Sequence, residues 1–466
     1  MQAKKNRAWM VGVLAAGACT AAYGEKTSTE RPTYYKDVVP ILQESCQVCH
    51  RDGGANFGGM YAPMAFSSYS NVRPWSKAIA RNVSSGTMPP WHADPTHAGE
   101  FENERTITED QIATLVAWAE TGATRGNPAD APPLKEFPIH EGWQIGEPDL
   151  IVTFDDPFLV EDDVEDLYQR FTSHISKEML PEPRWIQASE TRPGSGAVHH
   201  IVAFPAGGLV PGGGPKSYPE GVGVLIAPDT TIYWDVHYHK EAGPGTAVWD
   251  QSEIGIKFYP KDVEVTHMLR TATISDFEFV IPAGHPNYEV LAEHTFNEDV
   301  RIINYMPHMH LRGSAAKFEA FYPDGNSEVL LNIPNYDFNW QTTYQYEDFK
   351  FIPKGTRIEL TSVFDNSADN PANPDPTIDV TFGAPTTAEM IKSPIEYIRA
   401  VDREDVDAQV EALLRGKTGK GKKGSNKGSS IDSMSIEELT EAMKKKGMSD
   451  EDIEAALSQR KSGKGK

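Results

Sequence analysis

Two histidines separated by one residue, His308 and His310, stand in the stretch NYMPHMHLRG, after an apolar run that predicts a β-strand. Side chains at positions i and i+2 share one face of a strand, so the two imidazoles would point the same way and could bind one metal ion. The chain has 14 histidines in 466 residues, and a chain of this composition contains such a pair by chance in roughly 40% of cases. The pair alone therefore does not establish a metal site.

Further histidines fall in the same β-rich part of the chain. The stretch AVHHIVAF contains His199 and His200, and DVHYHK contains His237 and His239. Neutral imidazole is a ligand for copper, zinc, iron and nickel. Adjacent residues of a regular strand point to opposite faces, so His199 and His200 can bind one ion only if the strand has a bulge or a bend. We interpret His239 as a residue that does not bind the metal, or as one that contacts the ligands without binding the metal itself.

A second motif lies near the N-terminus, where QESCQVCHRD contains C-x-x-C-H at Cys46, Cys49 and His50. This pattern is typical of c-type haem, in which the two thiols bond to the haem vinyl groups and the histidine binds the iron. A thioredoxin-like redox pair is the alternative, but it does not need the histidine and lacks its usual flanking strand and helix here. The stretch GTMPPWH offers Met88 as the second axial ligand, with His92 as the other candidate.

Changes in composition along the chain predict its domains. Residues 31–127 carry the haem motif and end in a helical pattern, which indicates a small all-α cytochrome c-like haem domain. The proline-containing stretch 128–139 is a linker. Short apolar runs broken by Gly, Pro, Asn and Asp then predict two tandem antiparallel β-sandwiches, jelly-roll-like, at 140–290 and 291–402. Residues 403–466 read as a flexible basic linker and a short helical tail.

The N-terminus predicts export. Basic residues precede an apolar run that is too short to span a bilayer stably, as in a secretion signal, here residues 1–19. The run AAGAC resembles a bacterial lipobox, so a lipid anchor at Cys19 and ordinary cleavage nearby both stay open. Either outcome gives a periplasmic or other extracytoplasmic protein, membrane-anchored in the first case.

Charge and cysteine content exclude some classes. The net charge of −23 argues against a nucleic-acid partner, which would select a basic face. Apart from Cys19, Cys46 and Cys49 the chain has no cysteine, so no disulfide framework supports its domains.

Four short motifs, in order, resemble the copper type II, ascorbate-dependent monooxygenases, the family that includes peptidylglycine α-hydroxylating monooxygenase and dopamine β-monooxygenase. They are the H-H pair, the V-H-Y stretch, the H-x-H pair and the methionine of TTAEM, and the resemblance covers about residues 145–400. The ligands that the resemblance implies are His199, His200 and His237 for one copper, and His308, His310 and Met390 for a second.

The resemblance also implies the chemistry. A small organic substrate would be hydroxylated with O2 at the copper that has the methionine ligand, while the three-histidine copper supplies an electron from an ascorbate-like reductant. The haem would replace or assist that reductant, fed by a periplasmic electron donor. Two coppers and one haem c per chain are therefore expected.

The chain departs from the peptide-hydroxylating member of the family at two positions. An arginine two residues before H-x-H and a tyrosine four residues after the methionine are replaced by Met306 and Pro394, which argues against a peptidylglycine substrate. Two other functions stay open: a non-catalytic copper-binding or electron-transfer protein, and a sugar- or surface-binding β-sandwich with an electron-carrying domain.

Overall fold

A computed structural model describes residues 31–52, 54, 62–137, 142–400, 406–408 and 410–411. The predicted signal, residues 1–19, and nearly all of the predicted tail, residues 403–466, lie outside the described residues. The end of the predicted linker, 138–139, does so as well.

Strands make up most of the regular structure. Their bounds in chain order are β1 Leu150–Thr153, β2 Phe158–Val160, β3 Asp166–Ile175, β4 Arg184–Arg192, β5 Val198–Phe204, β6 Gly207–Leu209, β7 Lys216–Ser217, β8 Val222–Ile226, β9 Thr230–His239, β10 Val248–Asp250, β11 Glu253–Phe258, β12 His267–Met268, β13 Arg270–Asp276, β14 Val280–Ile281, β15 Tyr288–Thr295, β16 Val300–Tyr305, β17 Gly313–Phe321, β18 Ser327–Ile333, β19 Tyr344–Ile352, β20 Arg357–Phe364, β21 Val380–Thr381 and β22 Ile391–Arg399.

These strands form four larger sheets and two small ones. One sheet has the order β1-β11-β4-β8-β12, with β7 paired on β4, and a second has the order β3-β9-β5-β6. The third and fourth are β13-β22-β16-β19 and β15-β20-β17-β18, and the small pairs are β2 with β10 and β14 with β21. The first two sheets contribute to one buried core, around Ile186 and Trp234, and the other two to a second core, around Ile302 and Phe318.

Alternating hydrophobicity explains why these segments are strands. In β20 every second residue is buried, with Ile358, Leu360 and Phe364 facing the core. Successive strand residues face opposite sides, so this pattern places one face in the core and the other towards solvent. Burying each such side chain stabilises the fold by about 1.5–3 kcal/mol.

The helices are short, and most lie before the strands; residues 406–408 and 410–411, after β22, are also helical. Their bounds are α1 Val39–Ile41, α2 Tyr69–Val72, α3 Ser76–Ser84 and α4 Glu109–Glu120, with π-helical turns Tyr34–Val38 and Leu42–Cys46 and 3₁₀ turns Arg73–Trp75, Pro95–His97 and Pro128–Asp130. The helix α4 begins with a capping box between Thr108 and Gln111. It buries Leu115 and Trp118 completely.

The fold class predicted from the sequence is wrong. Among the described residues the structure is mostly β, with 37% strand and 14% helix, its larger sheets lie in a four-blade, propeller-like arrangement, and the described N-terminal residues form only short helices in place of a small all-α cytochrome c domain. Alternation of apolar and polar residues identifies strands and their buried faces. It does not identify how the sheets are arranged, because turn-rich antiparallel strands build barrels and propellers as well as sandwiches. In addition, Trp91 and Phe101, which we had placed in the haem domain, pack into the core of the β region.

Candidate metal centre

Three histidines from two neighbouring strands converge in the second sheet. His199 and His200 lie in β5, and His237 lies in β9. The pairing of β5 with β9 shifts register between Val198 and His200, which is the irregularity that two adjacent ligands require. The Nδ1 atom of His200 lies 3.3 Å from Nδ1 of His199 and 3.3 Å from Nδ1 of His237.

The spacing and protonation of this group fit a metal ion. Two imidazole nitrogens that bind one ion at about 2.0 Å each, near tetrahedral angles, lie about 3.3 Å apart. The ligand atoms of the three residues all lie within 4.8 Å of one another. Burial, followed by the neighbouring His237, lowers the pKa of His199 to about 4 and that of His200 well below its usual value. Both rings are therefore neutral near pH 7 and keep a lone pair for a metal.

Two residues of β3 lie behind His237. Asp166 Oδ2 is 3.2 Å from His237 Nε2 and 3.9 Å from His239 Nδ1. The ring of Tyr168 stacks on that of His237, with centroids 4.1 Å apart. Burial favours the neutral acid, but the contacts with His237 and with Thr386 outweigh it and hold the pKa of Asp166 below its usual value. His239 thus lies beside the group, as the sequence suggested.

His308 and His310 follow β16 and lie in an irregular segment. The expectation that a strand face presents them in parallel is wrong, because the backbone leaves the sheet before them. Their ring planes stand at 88°, with centroids 5.3 Å apart. His308 Nδ1 lies 2.7 Å from Oε1 of Gln341, and His310 Nδ1 lies 3.2 Å from the carbonyl oxygen of Ala388. Each Nδ1–H therefore has an acceptor, which leaves Nε2 as the nitrogen for a metal.

The unpaired nitrogen of this second pair is buried. His310 Nε2 has no hydrogen-bond partner in the part of the chain that the structure describes. A buried polar atom without a partner is costly, and a metal ion would satisfy this lone pair. Burial lowers the pKa of His308 to about 4 and that of His310 to about 3. Both rings are therefore neutral near pH 7, like those of His199 and His200.

Met390, the predicted third ligand of this pair, is tied to it through Glu389. The buried Glu389 carboxylate accepts hydrogen bonds from the backbone N–H groups of His310 at 2.9 Å, Arg312 at 2.6 Å and Met390 at 3.2 Å. Burial raises the pKa of Glu389 to about 7 against the opposing effect of these donors. Glu389 therefore holds the backbone of Met390 next to that of His310.

The two histidine groups lie close together. The ring centroids of His200 and His308 are 6.5 Å apart. Phe338 stands between the groups, stacked on His199 at 5.3 Å and set edge-on to His310 at 6.1 Å. The fold therefore gathers the predicted histidine ligands of both coppers in one place.

Sequence reasoning missed the residues that support these ligands. They are Asp166, Phe338, Gln341 and Glu389, and only the last lies inside a motif that we had recognised, TTAEM. Strand register brings Asp166 to the site, opposite His239, and no local pattern in the sequence gives that register.

The C-x-x-C-H motif has a conformation that fits haem attachment. Cys46 ends a short helical segment, and Cys49 and His50 follow it in a turn. His50 Nδ1 lies 3.2 Å from the carbonyl oxygen of Met64 and its ring stacks on Phe66, which leaves Nε2 for the iron. Burial raises the pKa of the Cys46 thiol to about 12. A thioredoxin-like pair has its reactive thiol at a helix N-terminus, whereas Cys46 lies at the end of its helical segment, which argues against that alternative.

The two candidates for the second axial ligand differ in their surroundings. Met88 is half-buried. His92 lies in a narrow space lined by Pro307, Trp340 and Tyr344 of the β region, and its Nε2 has no hydrogen-bond partner among the described residues. Since His92 packs towards the sheets, Met88 stays our preferred candidate.

Residues 91–105, which we call the strap, connect the helical part to the sheets. Phe101 is 3% exposed, forms a β-bridge with Tyr346 and packs in the core of the third and fourth sheets. Main-chain hydrogen bonds of 2.8 to 3.0 Å join the strap to β18 and β19. The strap therefore ties the helical part of the chain to the half of the β region that carries His308 and His310, in addition to the linker 128–139.

An open cleft of about 1570 Å³ lies between the C-x-x-C-H segment and the sheets. Ser45 and Val48, which flank Cys46 and Cys49 in sequence, line it on one side. Met306 and Pro394, next to the H-x-H segment, line it on the other. Sites for small organic ligands measure about 300–1,000 Å³, so this cleft has room for more than one bound group.

Within the described residues, no helix combines the length and the hydrophobicity needed to cross a bilayer. No protein-family model matches the chain, and no curated protein does either.

Similarities to solved structures are weak. The turret protein A223 of Sulfolobus turreted icosahedral virus is 10% identical, with a TM-score of 0.12 over 53% of this chain and 98% of that one. The VP2 subviral particle of infectious bursal disease virus is 8% identical, with a TM-score of 0.15 over 58% and 89%. The Paenibacillus xanthan lyase is 9% identical, with a TM-score of 0.16 over 61% and 29%. Scores this low carry no argument about the fold or the function of this chain, and they assign it to no family.

Proposed function

We propose that the protein is an exported, copper-dependent monooxygenase that hydroxylates a small organic substrate with O2, and that a c-type haem in the same chain relays electrons. The observation that carries the proposal is the proximity of two histidine groups of different composition. One has three converging imidazole nitrogens, and the other has two histidines tied to a methionine segment. This is the pairing that the copper type II monooxygenases use.

The two groups suit different copper chemistry. Those that would hold one ion are His199, His200 and His237, and those that would hold the second are His308, His310 and Met390. An all-imidazole site accepts both oxidation states, while a thioether favours Cu(I). When bound, the two coppers supply single electrons and the reduction of O2. The overall reaction converts substrate, O2, two electrons and two protons to the hydroxylated product and water.

The chain's own residues prepare this chemistry. Asp166 and Gln341 orient imidazoles by facing the nitrogen that does not bind the metal. Glu389 fixes the backbone around His310. Phe338 fills the space beside both groups and excludes water from it.

The haem would be attached at Cys46 and Cys49 and bound by His50 and Met88. A methionine ligand raises the haem potential, so the haem would accept electrons from a periplasmic donor and pass them to the coppers. The strap supports this role, because it ties the helical part, which contains the C-x-x-C-H segment, to the β region.

The cleft supports a small substrate. It extends from the C-x-x-C-H segment to Met306 and Pro394, where the peptide-hydroxylating relatives have an arginine and a tyrosine. Met306 thus replaces the arginine that the peptide-hydroxylating relatives have at this position. The signal-like N-terminus supports action outside the cytoplasm, with Cys19 as the candidate lipid anchor.

Metal analysis and O2 consumption test the proposal. Protein produced in a bacterial periplasm with copper should contain one haem and two coppers per chain, and His239→Ala, beside the site, should keep both coppers. Reduced protein should then consume O2 in proportion to hydroxylated product when organic compounds are screened. Full copper loading with no substrate-dependent O2 consumption would instead support a non-catalytic electron-transfer protein.

A further inference from the structure

Asp166 contacts both halves of the candidate metal centre. Its Oδ2 lies 3.2 Å from Nε2 of His237 and accepts a hydrogen bond of 2.9 Å from the hydroxyl of Thr386. His237 belongs to the three-histidine group, and Thr386 begins the segment that leads to Met390. One carboxylate oxygen therefore joins elements that lie far apart in the sequence.

The contact with His237 determines which ring nitrogen carries the proton. An ionised carboxylate only accepts hydrogen bonds. Among the described residues His237 Nε2 has no hydrogen bond of good geometry, and Asp166 Oδ2, 3.2 Å away, is the carboxylate oxygen that lies beside it. The Nε2–H tautomer is thus the one that Asp166 stabilises. It leaves a lone pair on Nδ1, the atom that lies 3.3 Å from His200 Nδ1.

The contact with Thr386 acts on the second group. Two residues after Thr386, the carbonyl oxygen of Ala388 lies 3.2 Å from His310 Nδ1. Glu389 and Met390 follow directly. A shift of Thr386 would therefore move the acceptor of His310 and the backbone of Met390 together.

We propose that Asp166 is a positioning residue for both coppers: it sets the tautomer of His237 and holds the Thr386–Met390 segment against the three-histidine group. This inference rests on the proposed function for the identity of the metal. Its first half concerns only the imidazole and the carboxylate, so it can be tested without metal.

Asp166→Leu tests both roles, because leucine has nearly the same shape as aspartate and no acceptor oxygen. His237 Nε2 then has no carboxylate beside it, and the share of the tautomer with the proton on Nδ1, where it blocks the metal, should rise. Loss of such a supporting partner typically lowers metal affinity 10–100-fold, so we expect a loss of about that size for copper at the three-histidine group.

Thr386→Val is the matched variant, because it removes the hydroxyl donor and keeps the carboxylate. The affinity of the three-histidine group should stay near the wild-type value, while copper at the second group dissociates faster. Asp166→Glu keeps an acceptor and should restore the Nε2–H tautomer at least partly.

Nitrogen-15 chemical shifts of the metal-free, histidine-labelled full chain read the tautomer directly, with His237→Gln to assign the signal. Competition of Cu(I) with a chromophoric chelator reads the affinity. A protonated Nε2 in the wild type and a larger share of protonated Nδ1 in Asp166→Leu support the inference. An unchanged tautomer, or an unchanged affinity in a folded Asp166→Leu protein, overturns it.

If Asp166→Leu does not fold, Asp166→Glu and Thr386→Val decide, since equal effects of both on the three-histidine group would contradict the separate roles. A wild-type chain that binds no copper refutes the proposed function, but the tautomer measurement still tests Asp166.

Discussion

The imidazole rings of His200 and His308 lie 6.5 Å apart, centre to centre, with their planes at 80°. His200 belongs to the sheet of β3, β9, β5 and β6, and His308 follows β16 of another sheet. The two groups therefore meet where separate sheets meet. Ions bound to each would be close enough for direct electron transfer.

Single substitutions should remove the two coppers independently. His199→Ala is expected to lose one copper per chain and keep the other, and His308→Ala should show the converse, since the two sets share no ligand. Copper content per chain after desalting measures this. In the fully loaded Cu(II) protein, the short distance should broaden the electron paramagnetic resonance spectrum, and either variant should sharpen it. If every variant loses both ions, the residues form one shared site.

Copper should stabilise the folded protein. A ligand that binds only the native state adds about 2.7 kcal/mol at 100 times its dissociation constant, so thermal unfolding of chelator-treated protein should shift upwards when copper is returned. The double variant His237→Ala/His310→Ala should show little shift, because each group has lost a ligand. An equal shift in this variant would mean that copper binds elsewhere.

Glu389→Gln should disturb the second group alone. The carboxylate accepts three backbone N–H groups, and the amide N–H of glutamine would face at least one of them. A buried donor left unpaired costs about 1–3 kcal/mol. The variant should therefore unfold at lower denaturant concentration and lose the copper of His308 and His310 while keeping the other.

The control for this variant is Glu347→Gln, a change of the same kind at an exposed position of β19. It should change stability by no more than about 0.5 kcal/mol. If Glu389→Gln is as stable as Glu347→Gln and keeps both coppers, the three hydrogen bonds of Glu389 do not hold the backbone around His310 and Met390 in place.

Local patterns in the sequence predicted the strands and the histidines but not their arrangement. The H-H pair required a bulge, and the register shift between Val198 and His200 provides it. The strand-face geometry for His308 and His310 was wrong, since it assumed that the strand continued through them. Their approach to His200 depends on contacts between sheets, which alternation along one strand does not encode.

The N-terminal part shows the same limit. The motif at Cys46 and the helix ending at Glu120 could be read locally. The position of the strap could not be predicted locally. An apolar residue such as Phe101 could be buried in a haem domain or in the core of the β region, and only the complete fold determines which. This is why the expected small all-α fold of this part was wrong.

The second axial ligand of the haem can be identified by spectroscopy. Met88→Ala should abolish the methionine–iron charge-transfer band near the red edge of the visible spectrum, whereas His92→Ala should retain it, because His92 packs against Trp340 and Tyr344. Haem that acid acetone extracts from the wild type would contradict attachment at Cys46 and Cys49. A wild-type spectrum without the band would exclude Met88 as the ligand.

Phe101→Ala should detach the strap. Phe101 is buried against Tyr344 and Tyr346, with ring centroids 5.7 and 5.0 Å away, and truncating a buried phenylalanine costs about 3–5 kcal/mol. Phe351→Ala, in β19 but 46% exposed, should cost less than about 1 kcal/mol.

In the wild type, loss of the haem band and loss of the β-sheet circular dichroism should coincide during denaturation, because the strap couples the two parts. In Phe101→Ala the haem part should separate as an earlier transition, and proteases should cut within residues 91–105 first. Coincident transitions in Phe101→Ala, with proteolysis no faster than in Phe351→Ala, would show that the linker alone positions the C-x-x-C-H segment.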